Sequence, residues 1–205
     1  MEIKEVAGIN ITFPFKKEAM QNCPHRKSAR AYAIGGINIV YCGDSGEAFC
    51  DNTDGEGFCR FLSRHDIEPE SILLLGTGIT SRSILYSLRE NNIKCLSVCT
   101  RDKSGIYDSD FFSSRDICIR EYGDIHPGDY ELIINTTPVG FDSLGLKTED
   151  YCGRLFEVKY SEPTCAEYNG IELLIEQALV NFRLFTGYDV DNRYWELKKY
   201  LSGVN

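Results

Sequence analysis

The chain has 205 residues, 42 % of them hydrophobic, which suits one large or two small domains with a genuine core. With 22 Lys+Arg against 31 Asp+Glu its formal charge is −9, a field that opposes nucleic acids and anionic membrane surfaces, so an anionic ligand must be held by a local positive feature. No apolar run approaches the roughly 18 residues of a membrane helix, and residues 1–8 lack the apolar stretch of a secretory signal, so a cytoplasmic protein with no nucleic-acid or membrane partner is expected.

The first element is a strand in "GINITFPF", whose alternation of Ile9, Ile11 and Phe13 with polar residues stops at Pro14. Lys16 and Lys17 follow. The segment "GGINIVYCGDSGEAFCDNTD" (35–54) reads as two short antiparallel strands around the turn signal Gly43-Asp44-Ser45-Gly46. From residue 55 the rhythm alternates helix and strand, the pattern of a parallel sheet with crossover helices. A helix with Phe58, Phe61 and Leu62 on one face precedes a buried-type strand "SILLLG" and the amphipathic helix "TSRSILYSLRENN". Strands follow in "KCLSVCTR", "DICIREY", "YELIINTTP" and "GRLFEVKY", so five strands with intervening helices make a doubly wound α/β sheet of the Rossmann type. Near the C-terminus, Leu173, Leu174, Ala178, Leu179, Phe182 and Phe185 recur at helical spacing before Gly187, a C-cap. A last amphipathic helix in "DNRYWELKKYL" carries Trp195, expected to pack against a neighbouring domain.

The nine cysteines are odd in number and scattered, with no C-x-x-C pair, and read as reduced, mostly buried thiols. His25, His65 and His126 stand far apart among polar neighbours and read as surface or capping residues; no metal is expected.

Gly76 and Gly78 stand directly after the buried strand and before a helix, where glycine backbone can turn tightly and approach a pyrophosphate at the helix N-terminus. Ser81 occupies the third position of the G-x-G-x-x-G pattern. The next strand ends at Thr100-Arg101-Asp102-Lys103, where the ribose-reading residue belongs. An acid alone there would favour NAD; Arg101 and Lys103 suit a 2′-phosphate, so NADP is preferred over NAD.

Read in order, these segments resemble the shikimate dehydrogenase family. Its N-V-T-x-P-x-K motif appears as Asn10 to Lys16, its G-A-V-N-T segment as Gly35 to Ile39, its N-T-D-G-x-G as Asn52 to Gly57 and its glycine turn as Gly76 to Gly78. Its N-R-T-like phosphate reader appears as Thr100 to Asp102, its I-N-A-T-P-x-G strand end as Ile134 to Gly140 and its G-x-x-M-L-x-x-Q-A helix as Gly170 to Ala178. The resemblance implies an acid/base lysine at Lys16 with Asp54 as its aspartate partner. It implies substrate contacts at Thr12, Asn38, Tyr160 and Gln177 and cofactor contacts at Gly76, Thr77, Gly78, Ile79, Thr80, Thr100, Arg101 and Lys103. Val158 and Gly170 match positions near the nicotinamide.

The activity implied by the resemblance is that of an NADP-dependent oxidoreductase interconverting 3-dehydroshikimate and shikimate, in aromatic amino acid biosynthesis. The alternatives are a dehydrogenase of quinate or another hydroxylated ring acid, and a nucleotide-binding homologue without turnover. The expected division is a substrate-binding domain at 1–54, with helices of 171–205 packing back on it, and an NADP-binding domain at 55–170. Three departures from the family stand out. No Ser-x-Ser pair, the family's grip on the substrate carboxylate, precedes Lys16, and the small domain that remains is expected to leave apolar surface for a homodimer or partner chain. Ile79 replaces a glycine and is expected to crowd the pyrophosphate. The segment between Tyr160 and Gly170 is short.

Overall fold

The computed structural model describes residues 6–43, 46–91, 95–101, 111–112, 117–146, 151–160 and 164–203. Two sheets organise them. The smaller has four strands in the order β1-β3-β4-β2: β1 (Gly8–Asn10), β2 (Arg26–Lys27), β3 (Ile39–Cys42) and β4 (Ala48–Asp51). β3 pairs antiparallel with both β1 and β4, so the hairpin expected in 35–54 forms, with Val40 opposite Cys50. The larger is a parallel sheet, order β10-β9-β8-β5-β6-β7, built from β5 (Ser71–Leu75), β6 (Cys95–Thr100), β7 (Ile117–Glu121), β8 (Leu132–Asn135), β9 (Arg154–Glu157) and β10 (Tyr168–Asn169). The protein is thus α/β with a Rossmann-type sheet.

β5 is buried on both faces, as a central parallel strand must be. Ile72 and Leu74 point to one core, where α3 (Asp54–Arg64) and α4 (Ile79–Glu90) bring Phe58, Phe61, Ile84 and Leu88. Leu73 and Leu75 point to the other, where Ile125, Tyr130 and Phe141 cover them. Those covering residues lie in or beside short 3-10 turns. The expectation of a helix in each crossover is therefore corrected: β7 to β8 and β8 to β9 are joined through 3-10 turns at Tyr122–Asp124, Pro127–Asp129 and Phe141–Leu144. Single side chains from these turns, Ile125, Tyr130 and Phe141, supply the apolar cover there.

In the N-terminal part, α1 (Lys16–Asn22) and α2 (Ala29–Ile34) pack near the small sheet. The opening strand is shorter than its alternation suggests, since the chain leaves β3 after Asn10 and turns at Thr12, whose carbonyl accepts from Phe15 N. Arg30 clamps Asp51 with two nitrogens, 3.1 and 2.6 Å, and reaches Glu56 at 3.1 Å, which ties α2 and β4 to α3.

α5 (Gly170–Thr186) lies along α3, and Gly187 ends it in the left-handed conformation as expected. Its buried face differs from the apolar stripe read in the sequence. Glu172, Glu176 and Asn181 are buried whereas Ala178 and Phe182 are exposed. Glu176 is enclosed because Arg60 and Arg64 of α3 pair with it, at 3.2 and 2.5 Å, and both guanidiniums also hold Asp191. Partial burial alone would raise the Asp191 carboxyl, but Arg64 and Arg60 overrule it and hold it below the ordinary carboxylate range. A depressed native value stabilises the fold above the unfolded value, about 3.9, and this contribution disappears as pH falls through the lower native one. Asp191→Asn is therefore expected to be less stable than wild type at neutral pH. The gap, about 0.5–1 kcal/mol after allowing for a carboxylate 43 % exposed, should close in strong acid. Urea midpoints at the two pH values check it.

α6 (Tyr194–Leu201) packs on α5, with Tyr194 buried. Three readings change here. Trp195 is 58 % exposed and touches Tyr194 and His65 rather than being enclosed by another domain. His65 stands at the C-cap of α3, but its ring is largely enclosed by Phe61, Tyr168 and Tyr194. The thiols are not mostly buried: Cys42, Cys118, Cys152 and Cys165 are exposed, because Cys118 faces outward on the edge strand β7 and the other three sit at a strand end or outside strands.

Candidate active site

Ile11 N donates to Asn38 O and Ile37 N to Lys16 O, at 2.7 and 3.1 Å, so the lysine turn is laced to the strand beside it. Lys16 is the first residue of α1, and its Nζ donates to Asp54 Oδ2 at 2.5 Å. Lys17 is exposed. Asp54 opens α3, where the helix N-terminus favours a negative charge. Its side chain is 2 % exposed, against 15 % for Lys16, so the ammonium has one side toward solvent while the carboxylate has none.

Asn38 holds the carboxylate from the other side, its Nδ2 donating to Asp54 Oδ1 at 2.7 Å. The same nitrogen lies 3.1 Å from both Thr53 Oγ1 and Gln177 Oε1, and two hydrogens cannot serve three acceptors at once. A ligand hydroxyl could therefore compete for Gln177 without leaving Asp54 unsatisfied. Behind these groups Thr53 Oγ1 donates to Asn181 Oδ1 at 2.6 Å, Asn181 Nδ2 to Asn10 Oδ1 at 2.8 Å, and Ser83 Oγ to Asn52 Oδ1 at 2.7 Å. Among the described residues no buried side-chain nitrogen or oxygen lacks a partner. Sequence reading assigned no role to Asn10, Asn52, Thr53, Ser83 or Asn181. The i,i+4 spacing of Gln177 and Asn181 on α5 is the signal that would have joined Asn181 to the site.

The structure brings Lys16, Asp54, Asn38 and Gln177 together. Thr12 is exposed on the turn before Lys16. Tyr160, 55 % exposed, stands with a different group: a Cβ added to Gly170 would come within 1.8 Å of Val158 O and 2.9 Å of the Tyr160 ring. Val158, Tyr160 and Gly170 thus form one cluster beyond β9.

At the end of β5, Gly76 turns with φ +103° and its N–H donates to Cys99 O, while Ser81 Oγ donates to Gly76 O at 2.7 Å. Thr77 is half-buried and Gly78 is the exposed N-cap of α4, without a side-chain cap and with open space beside its Cα. That open, uncapped helix start fits a dinucleotide phosphate. Ile79 packs its Cγ2 so close to Gly36 that a Cβ there would meet it at 2.5 Å. The side chain bridges to the lysine side of the molecule. Thr80 Oγ1 lies 3.5 Å from Lys16 Nζ and 3.4 Å from Asp54 Oδ2, so this residue of the cofactor turn also touches the lysine–aspartate pair. Thr100 is half-buried and Arg101 exposed at the end of β6; Lys103 lies outside the described residues.

Fold and site together define a Rossmann-type α/β protein in which a lysine–carboxylate pair meets the first turn of α4. Shikimate dehydrogenase (NADP(+)) of Methanococcus vannielii is 28 % identical over 215 residues, an alignment that covers 91 % of this chain and 74 % of that protein. The namesake of Clostridium perfringens strain SM101 is 36 % identical over 138 residues, covering 66 % of this chain and 49 % of its own length. Among solved structures, shikimate 5-dehydrogenase from Thermus thermophilus in complex with NADP(H) and shikimate superposes with a TM-score of 0.77 at 24 % identity, over 96 % of this chain and 80 % of that one. No protein-family model matches the chain. The curated relatives are shikimate dehydrogenases, and the likeness to that of Methanococcus vannielii extends over about nine-tenths of this chain.

Proposed function

We propose that the chain is an NADP-linked dehydrogenase that interconverts 3-dehydroshikimate and shikimate, with a substrate-binding unit at 1–54, backed by α5, and a cofactor-binding unit at 55–170. The observation that carries this reading is the 2.5 Å contact between Lys16 Nζ and the enclosed Asp54 carboxylate, made beside Thr80 at the start of α4. NADPH, when bound, supplies the hydride. Reducing a ketone puts negative charge on its oxygen, and the Lys16 ammonium can both stabilise that charge and give the oxygen a proton. Asp54 orients the ammonium, and Asn38 fixes Asp54. Thr12, Asn38, Gln177 and Tyr160 are the proposed substrate partners, and Val158 and Gly170, which cluster with Tyr160, flank the nicotinamide end.

The test is purified protein with shikimate and NADP+, read by NADPH absorbance, beside arms with quinate and with NAD+. Turnover with shikimate and NADP+ supports the proposal. Turnover on quinate alone moves the substrate to the other ring acid, and nucleotide binding by calorimetry without turnover on either acid overturns the dehydrogenase reading.

Arg101 is the proposed 2′-phosphate partner. A charge-assisted hydrogen bond contributes about 1.5–3 kcal/mol, so Arg101→Ala is expected to raise KM for NADP+ by about 10- to 100-fold. KM for NAD+ should hardly change, since that nucleotide has no phosphate there. Steady-state kinetics with both nucleotides decide it.

A further inference from the structure

We propose that Cys23 and Cys50 are a disulfide-forming pair whose closure staples the helix carrying Lys16 to the strand that leads into Asp54. The proposal stands on these two thiols and does not depend on the identity of the substrate.

Cys23 is the C-cap of α1 and is partly exposed; Cys50 is fully buried in β4, in register with Val40 on one side and Lys27 on the other. Their sulfurs face each other at 2.8 Å. A disulfide spans roughly 2.05 Å, so closure needs less than about 1 Å of approach. Lys27 Nζ donates to Cys23 O at 2.5 Å, which sets a positive charge beside the pair. Burial, with the Cys23 contact adding to it, pushes the Cys50 thiol up to about 12, against the pull of Lys27. Cys23, the accessible member, is therefore the first to react.

The position gives the bond a consequence. α1 begins at Lys16 and ends at Cys23, while Cys50 lies just before Asp51, Asn52 and Thr53, which lead to Asp54. The two-turn helix is anchored at its start by Lys16, through Asp54 and Ile37 N, and along its length by the packing of Ala19, Met20 and Cys23 against Ala31, Ile37 and Cys50, and none of its residues is buried.

A low-molecular-weight disulfide such as oxidised glutathione is the co-reactant. The Cys23 thiolate attacks one of its sulfurs and releases one glutathione thiolate, which takes up a proton. Cys50 Sγ, losing its proton to solvent, then attacks the Cys23 sulfur of the mixed disulfide and releases the second glutathione. Two protein thiols are oxidised to one disulfide as one glutathione disulfide is reduced to two thiols.

Intact protein is equilibrated in glutathione buffers of graded ratio, quenched by alkylation and digested with trypsin and an aspartate-directed protease. This places Cys50 in the fragment 44–50, apart from Cys42 and Cys59, and Cys23 in 18–26. The expected result is a crosslinked 18–26/44–50 species and an oxidised form melting about 5 °C or more above the reduced form. Cys23→Ser should lose both signals and Cys42→Ser neither. Cys23 and Cys50 alkylated separately, or carrying only glutathione, at every ratio overturns the proposal, as does an unchanged oxidative shift in Cys23→Ser. If that variant fails to fold, the wild-type crosslink still decides.

Discussion

Lys16→Ala is expected to lower kcat by about 10²- to 10⁴-fold, the usual contribution of a positioned general acid. The argument rests on what surrounds the ammonium. Asp54 is enclosed and already satisfied by Asn38, so it is a partner for the lysine rather than a proton source for a ligand. Thr80 at 3.5 Å can orient the ammonium but cannot replace its charge. Lys16→Arg sharpens the test, because a guanidinium keeps the ion pair yet does not release a proton in this pH range. It should retain the stability of wild type and share the kinetic loss of the alanine variant. The alanine variant also leaves the Asp54 carboxylate buried without its cation, a loss of about 3–5 kcal/mol where a buried pair is broken. Nucleotide binding by calorimetry must therefore accompany the kinetics: retained binding with lost turnover places the defect in the chemical step, and lost binding places it in the fold.

Gly55→Ala is expected to disturb the packing of α3 on α4. A Cβ at that position would lie 2.0 Å from Ser83 O and 2.4 Å from Ser87 Oγ, and the first of these is α4 backbone that no rotamer change can move. α3 and α4 would have to separate. Overpacking of this kind costs about 1–3 kcal/mol, and a backbone clash falls at the upper end; for a chain of this length that is about 6–12 °C in melting temperature. Because Asp54 is the adjacent residue, separating the helices also draws its carboxylate away from Thr80 and Lys16, so activity should fall along with stability. Gly78→Ala is the contrast. Open space surrounds that position, so its melting temperature should change by less than 0.5 kcal/mol would produce, about 1–2 °C, while nucleotide affinity falls because the added methyl occupies the proposed phosphate site. Thermal melts and calorimetry on the two variants separate a glycine required for helix packing from one required for ligand approach.

Much of the site was legible in the sequence because its parts are local motifs. The turn at Gly76 needs positive φ and the phosphate site needs a bare helix start, and both demands leave glycines at fixed spacing after an apolar strand. Lys16, Asn38 and Asp54 could each be named from their motifs. Their hydrogen bonds could not, since Lys16 and Asp54 are 38 residues apart and Asn38 and Gln177 are 139 apart. Ile79 shows the limit clearly. In the linear motif it replaces a glycine beside the phosphate; in the fold its side chain goes to Gly36 instead. The face of α5 was misread for a related reason. Glutamate signals solvent in a periodicity count, yet two arginines one helix away allow Glu176 to be fully enclosed.

By itself the sequence determined the order of the motifs and the parallel sheet, since apolar runs, turn residues and helix caps act over a few neighbouring positions. Only the tertiary structure decided which polar atoms meet: that Asn38 holds Asp54, that Thr80 of α4 reaches the lysine, and that the thiols of Cys23 and Cys50 face each other. Those contacts depend on how α3 packs between α4 and α5 and on how α1 sits against β4, and such packing joins residues that no local pattern relates.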